Sequence, residues 1–181
     1  VDFLTGAFRD PRLEEVTLAL SAEMLVSTGI AASPEAGRAA AQDALVSGRA
    51  AERFARMVSL LGGPAYFVER MDAYLPRADV ELAVKAPRGG FVTRIATRDI
   101  GVAVVALGGG RTDPGQAIDH AVGITRLAAV GTPVEPGQTL AVIHARDGAK
   151  GEEAASAVVA AYAIGDAPIP ARPAIIRRIE R

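Results

Sequence analysis

One change of texture divides this chain and limits what it can fold into. Up to Pro76 the apolar residues recur at three- and four-residue steps; beyond it glycine and β-branched residues rise and the period drops to two. A helical part followed by a β-rich part makes an α+β protein, with the boundary placed at residues 77–82 and the domains read as 1–79 and 80–181. In the first part, Asp10-Pro11 and Ser33-Pro34-Glu35 each set a capping side chain before a proline, the pair a helix start prefers. Behind Asp10, Leu13, Val16, Leu20 and Met24 form an apolar stripe that stops at Gly29. An alanine-rich helix runs from Ser33 to near Gly48. A third stripe (Phe54, Met57, Val58, Leu61) halts at Gly62-Gly63-Pro64, and a fourth (Phe67, Val68, Met71, Leu75) halts at Pro76. These methionine and phenylalanine stripes read as core rather than as a ligand box.

In the second part, Gly89-Gly90 opens a strand through Ile95. Asp99 or Thr97 is expected to cap a helix from Ile100 to Leu107, which Gly108-Gly109-Gly110 stops. A strand is expected over Val122–Ala128, then a turn-rich hairpin approach over Val130–Gly137 and a strand over Thr139–His144. A helix from Gly151 to Ile164, with Glu152 and Glu153 in its first turn, and a terminal strand over Ala174–Ile179 complete the reading. Val92-Thr93-Arg94-Ile95 and Ile124-Thr125-Arg126-Leu127 share a pattern, which suggests equivalent strands of a quasi-symmetric β unit. The run Val134–Ile143 resembles the return strand of biotinyl and lipoyl carrier modules. That supports a hammerhead or barrel-sandwich shape, but the only lysines, Lys85 and Lys150, are not at a hairpin tip where a carrier would be modified.

Composition removes several function classes. Twenty basic and 21 acidic residues leave a net charge of −1, which gives no electrostatic reason for a nucleic-acid or membrane-surface partner. With no cysteine there is no disulfide framework, thiol nucleophile or cysteine-bound metal, and two histidines are too few for a histidine-rich metal site. No apolar run matches a membrane-spanning helix, and no charged-then-apolar leader precedes the fold, so a soluble cytoplasmic protein is the expectation. The start at Val1-Asp2-Phe3-Leu4 reads as mid-domain sequence and suggests a fragment.

Few residues offer chemistry on their own. Gly108-Gly109-Gly110 with Arg111 can present backbone N–H groups and a guanidinium to an anion. These glycines end a helix, however, whereas Walker and Rossmann loops follow a strand and begin one, so a helix stop is the preferred reading. Asp119-His120 invites a general-base role but lacks any identifiable nucleophile. The simpler reading makes Asp119 a turn residue and His120 a surface or structural histidine. His144, closing an apolar strand, reads as hydrogen-bonded and half-buried, and Arg177-Arg178 as a solvated strand face.

Taken in order, several strings match a known family. They are Phe3-Leu4-Thr5-Gly6, Arg9-Asp10-Pro11-Arg12-Leu13, Glu23-Met24-Leu25, Gly63-Pro64, Gly90-Phe91-Val92, Gly101 through Arg111, Ile118-Asp119, Val122-Gly123 and Leu140 through Ala145. Over nearly its whole length the chain closely resembles the C-terminal portion of thymidine phosphorylases, in the pyrimidine-nucleoside phosphorylase family. The resemblance implies the end of an α/β domain followed by a C-terminal α/β-hammerhead. It also implies a homodimer whose whole enzyme cleaves thymidine or deoxyuridine with inorganic phosphate, with no redox cofactor or catalytic metal. The family's K-H-S-T-G-G phosphate motif and R-x-x-x-S-x-K base-binding stretch are absent from this sequence, so the chain alone is expected to be inactive and to hold no catalytic residue. Gly108, Gly109, Gly110 and Arg111 remain its candidates for approaching the substrate cleft. Ala7 stands where relatives often carry a cation-binding Glu, and His120 where they carry Tyr, which argues against a monovalent-cation site and against a catalytic His120. The alternative from another class is a non-catalytic hammerhead binding module.

Overall fold

The computed structural model describes residues 1–170 and 173–179, which fall into two compact units. The first comprises residues 1–74 together with the described residues of the C-terminal tail. Its helices are α1 (Asp2–Thr5), α2 (Pro11–Ser27), α3 (Pro34–Val46), α4 (Arg49–Leu60) and the short α5 (Met71–Tyr74). Both expected starts are present. The Asp10 carboxylate accepts from the Leu13 N–H at 2.8 Å and the Ser33 hydroxyl from the Ala36 N–H at 3.2 Å, each with proline opening the helix.

Packing departs from the expected stripes. Helices α2 and α3 bury Leu18, Ala22 and Leu45, whereas Leu20 and Met24 are 59% and 68% exposed. The small side of α2 admits α3 closely, and the bulkier stripe is turned outward. The fourth helix shrinks to Met71–Tyr74, because Phe67 sits in a turn closed by its N–H on the Pro64 carbonyl. The Phe67 ring lies 6.3 Å from Phe54 and 6.5 Å from Tyr74, contacts that a regular helix through this short segment would have to rearrange. The expected terminal strand is also absent: residues 174–179 have no regular structure. They belong to a unit without a sheet to join, and Arg178 is bonded to Glu23 (Nε to Oε1, 2.6 Å) rather than lying on a solvated strand face.

The second unit, residues 75–170, carries β1 (Val80–Lys85), β2 (Gly90–Ile95), α6 (Thr97–Val104), β3 (Gly123–Thr125), β4 (Pro133–Val134), β5 (Thr139–Ala145), α7 (Gly148–Ala161) and β6 (Tyr162–Gly165). Its strands form two three-stranded antiparallel sheets in the orders β1-β5-β3 and β4-β2-β6. Leu140, Ile143, Val84, Val92 and Val158 are fully buried at its centre. The Tyr162 hydroxyl donates to the Ala128 carbonyl at 3.0 Å, and burial raises its pKa. The α+β class agrees with the sequence reading, but several details differ.

Strand β1 is an addition to the expected elements, with Val80, Leu82 and Val84 alternating with polar or small residues. Strands β4 and β5 do not form a hairpin; the turn at Pro136-Gly137 carries the chain from one sheet to the other. The repeated Thr-Arg pattern does not mark equivalent strands, since β2 is central and β3 is an edge. Strand β3 ends early because Arg126 adopts φ +53°, outside the extended region. Helix α6 starts at Thr97 without a side-chain cap. Helix α7 begins three residues before the expected start, capped by the Asp147 carboxylate on the Lys150 N–H at 2.8 Å, so Glu152 and Glu153 lie beyond its first turn. Its expected last turn is instead β6, where Tyr162–Gly165 pairs with β2. Among the described residues, no helix is long and apolar enough to cross a membrane.

Candidate functional site at the glycine turn

Helix α6 does not end in a plain cap. It widens over Val105–Gly109 and breaks at Gly108, whose φ of +100° is costly for any residue with a Cβ. At Gly110 a Cβ would lie 2.6 Å from Val105 Cγ2, so the backbone folds tightly onto the end of the helix. The expected helix stop is therefore present, and the excursion that follows is held from both sides. Thr112 donates through its N–H (2.9 Å) and hydroxyl (2.8 Å) to Gln116 Oε1, and the Asp119 N–H returns to the Gly108 carbonyl at 2.9 Å. Arg111 projects from this excursion into solvent.

Asp119 is a turn residue, as expected, with Oδ1 accepting from the Ala121 N–H at 3.0 Å. It is also the partner of Arg146, a role the sequence did not reveal. Arg146 Nε donates to Asp119 Oδ2 at 2.6 Å and its Nη2 to Oδ1 at 2.9 Å, a two-pronged carboxylate contact. The remaining guanidinium nitrogen reaches the Arg77 carbonyl at 3.1 Å and Asp79 at 3.3 Å. The glycine turn is thus tied through the backbone of Asp119 to the residue following β5. Separated by 27 positions, Asp119 and Arg146 carry no local pattern that would pair them.

The Arg146 hydrogen bonds, helped by the Ala121 N–H, hold the Asp119 carboxyl at about 2, below its ordinary 3.8. A lowered folded-state pKa stabilises the fold above the unfolded value and loses that contribution as pH falls through the folded one. Thermal unfolding is therefore expected to show a fall in Tm between about pH 4 and pH 2 that is shallower in Arg146→Gln. Equal slopes for the two proteins would contradict this assignment.

The histidines stand apart. His120 is exposed beside the turn. His144 is half-buried on β5, with Nε2 sharing a 2.8 Å hydrogen bond with Thr125 Oγ1 and Nδ1 lying 3.5 Å from Glu81 Oε1, as the sequence reading anticipated. Lys85 lies in β1 and Lys150 in the first turn of α7. No group of three or more His, Cys, Asp or Glu suited to a metal ion occurs among the described residues.

The sequence profile of the pyrimidine nucleoside phosphorylase C-terminal domain matches residues 91–165, which include β2 from Phe91 onward, α6, the glycine turn, β5 and α7. That stretch is similar to the C-terminal domain of pyrimidine nucleoside phosphorylases. Across 99% of its length the chain is 58% identical to a thymidine phosphorylase of Mesorhizobium japonicum, and across 98% it is 47% identical to one of Sinorhizobium fredii. It spans 41% and 40% of those two relatives. The phosphorylase domain match takes in the whole Gly108–Asp119 turn but begins after β1, the strand that Arg146 approaches through Asp79 and Arg77.

Proposed function

We propose that this chain is the C-terminal part of a thymidine phosphorylase, a pentosyltransferase. The observation that carries the reading is the 58% identity that extends through 99% of the chain, helical unit included, and not only through the matched domain. In the whole enzyme, a cytoplasmic homodimer, inorganic phosphate attacks C1′ of thymidine or deoxyuridine. The N-glycosidic bond breaks with its electron pair going to the pyrimidine nitrogen, which takes up the proton that the attacking phosphate gives up, leaving the free base and 2-deoxyribose-1-phosphate. Positioning and stabilisation of the charge growing on the leaving base account for such catalysis.

The contribution proposed for this chain is the Gly108–Arg111 turn. Gly108, Gly109 and Gly110 carry no Cβ, and the exposed Arg111 adds a guanidinium, a combination suited to approaching an anionic substrate. Because neither the phosphate motif nor the base-binding stretch of the family occurs in the sequence, the chain by itself does not turn over. Phosphate-dependent release of thymine is the test. The isolated chain is expected to give none, and mixing it with the remaining part of a related thymidine phosphorylase is expected to restore release. Turnover by the chain alone would refute its inactivity. Failure to restore activity although both parts fold and associate would favour a non-catalytic binding module.

A further inference from the structure

Building on the reading of this chain as part of a thymidine phosphorylase, we propose that Arg146 is a positioning residue for the glycine turn. By holding Asp119 it fixes where the exposed Arg111 stands, and so sets how tightly the whole enzyme takes inorganic phosphate. Arg146 itself lies outside the turn and touches no substrate.

The excursion cannot keep its own place. Residues 111–117 are all exposed, so none of their side chains is anchored in a core. The hydrogen bonds of Thr112 to Gln116 are internal and give the excursion a shape without tying it to another element. Its position is therefore set at its two ends. At the outgoing end Leu107 is buried, and Gly110 folds closely onto Val105. At the returning end the Asp119 N–H bonds to the Gly108 carbonyl, which belongs to the turn as well. Beyond its local bond to the Ala121 N–H, the Asp119 carboxylate is held by Arg146, and this contact carries the end of the excursion to the sheet.

Arg146 is well placed for this task. It follows Ala145, the fully buried last residue of the central strand β5, so the backbone from which its side chain extends is fixed. Two parallel bonds to one carboxylate define an angle as well as a distance. The remaining nitrogen, on the Arg77 carbonyl and Asp79, keeps the fork from pivoting. The Arg146 and Asp119 side chains are 41% and 29% exposed, and a pair so open to water adds only modestly to stability. Its larger contribution is location, because a misplacement of about 1 Å near a reacting centre can cost on the order of a hundredfold in rate. Lysine would keep the charge at this position but not the two-pronged contact.

The test measures thymine release by the chain mixed with the remaining part of a related thymidine phosphorylase, varying inorganic phosphate and thymidine separately. Arg146→Gln is expected to raise the KM for phosphate about tenfold and to leave the KM for thymidine within about twofold. Arg146→Lys should recover part of the loss. Arg88→Gln removes the Arg88–Asp166 ion pair elsewhere in the same unit and should change neither constant. Loss of fold would lower the amount of active enzyme, and with it kcat, without separating the two KM values. Hydrogen exchange of the chain alone gives a readout apart from catalysis: in Arg146→Gln the Asp119 and Ala121 amides should exchange faster while those of β5 keep their rates. An unchanged phosphate KM, an equal rise in both KM values, or unaltered exchange at Asp119 would overturn the proposal. An unmodified mixture that releases no thymine would count against the phosphorylase reading instead, and the exchange rates would still decide whether Arg146 holds the turn.

Discussion

Leu140→Ala is expected to destabilise the second unit by about 2–5 kcal/mol, the range for truncating a fully buried leucine. Leu140 has no exposed surface and is the extra residue in the β1–β5 pairing. Its carbonyl also accepts from the Ala128 N–H at 2.7 Å, so the backbone is anchored on the β3 side and cannot easily follow a shortened side chain inward. The neighbours Val84, Val92 and Ile143 are themselves buried and belong to different strands, so filling the cavity would require both sheets to move. Urea unfolding followed by hydrogen exchange of β2 and β5 amides measures the effect unit by unit. Leu20→Ala supplies the contrast: with Leu20 59% exposed, the change should stay within about 0.5 kcal/mol. The ordering matters more than either value, because the apolar stripe in the sequence ranks Leu20 among the core residues. Equal effects would contradict the assignment of Leu140 to the core and Leu20 to the surface.

That contrast shows what kind of information the sequence held. Local rules were legible wherever one or two residues decide the outcome. Asp10-Pro11 and Ser33-Pro34 start helices, and Gly108 stops one, because a side-chain acceptor, a fixed φ or a missing Cβ acts within its own turn. The α+β class followed from the change in period. Choices made by tertiary partners were not legible. Which side of α2 is buried depends on how closely α3 approaches Ala22, and Tyr162–Gly165 becomes a strand because β2 offers an edge to it. Strand β1 is hard to read for a different reason: Glu81 and Lys85 keep its alternation with Val80, Leu82 and Val84, but the small apolar Ala83 interrupts it and the run is only six residues long. At the candidate site, residue type alone marks the glycine turn, whereas no local pattern marks the Arg146 clamp on Asp119. A contact between residues 27 apart exists only once the two sheets and the turn have been assembled.

Gly90→Ala is the second large effect expected, and it reaches from the sheet toward the candidate site. Gly90 opens the central strand β2 with φ +139°, a conformation that a residue with a Cβ rarely adopts. An added Cβ would stand 2.5 Å from the Gly165 carbonyl oxygen and 2.9 Å from Ile164 Cγ2, so the obstacle includes the backbone of β6 and not only a side chain able to rotate. Backbone strain of about 1–3 kcal/mol and a comparable overpacking term give a destabilisation of roughly 2–4 kcal/mol. Relief requires β6 to move away from β2. Strand β6 follows directly on α7, and the Ala161 carbonyl at that junction accepts the Ala96 N–H at 2.8 Å, immediately before α6 begins. Displacement of β6 therefore pulls on the start of the helix whose far end makes the glycine turn. Hydrogen exchange should speed up first in β6 and at Ala96, then through α6 to Gly108. Gly115→Ala, with no atom within 4 Å of its added Cβ and no positive φ, should leave both stability and exchange nearly unchanged. Loss of stability in Gly90→Ala with exchange in α6 unaltered would break the proposed connection between the sheet and the turn.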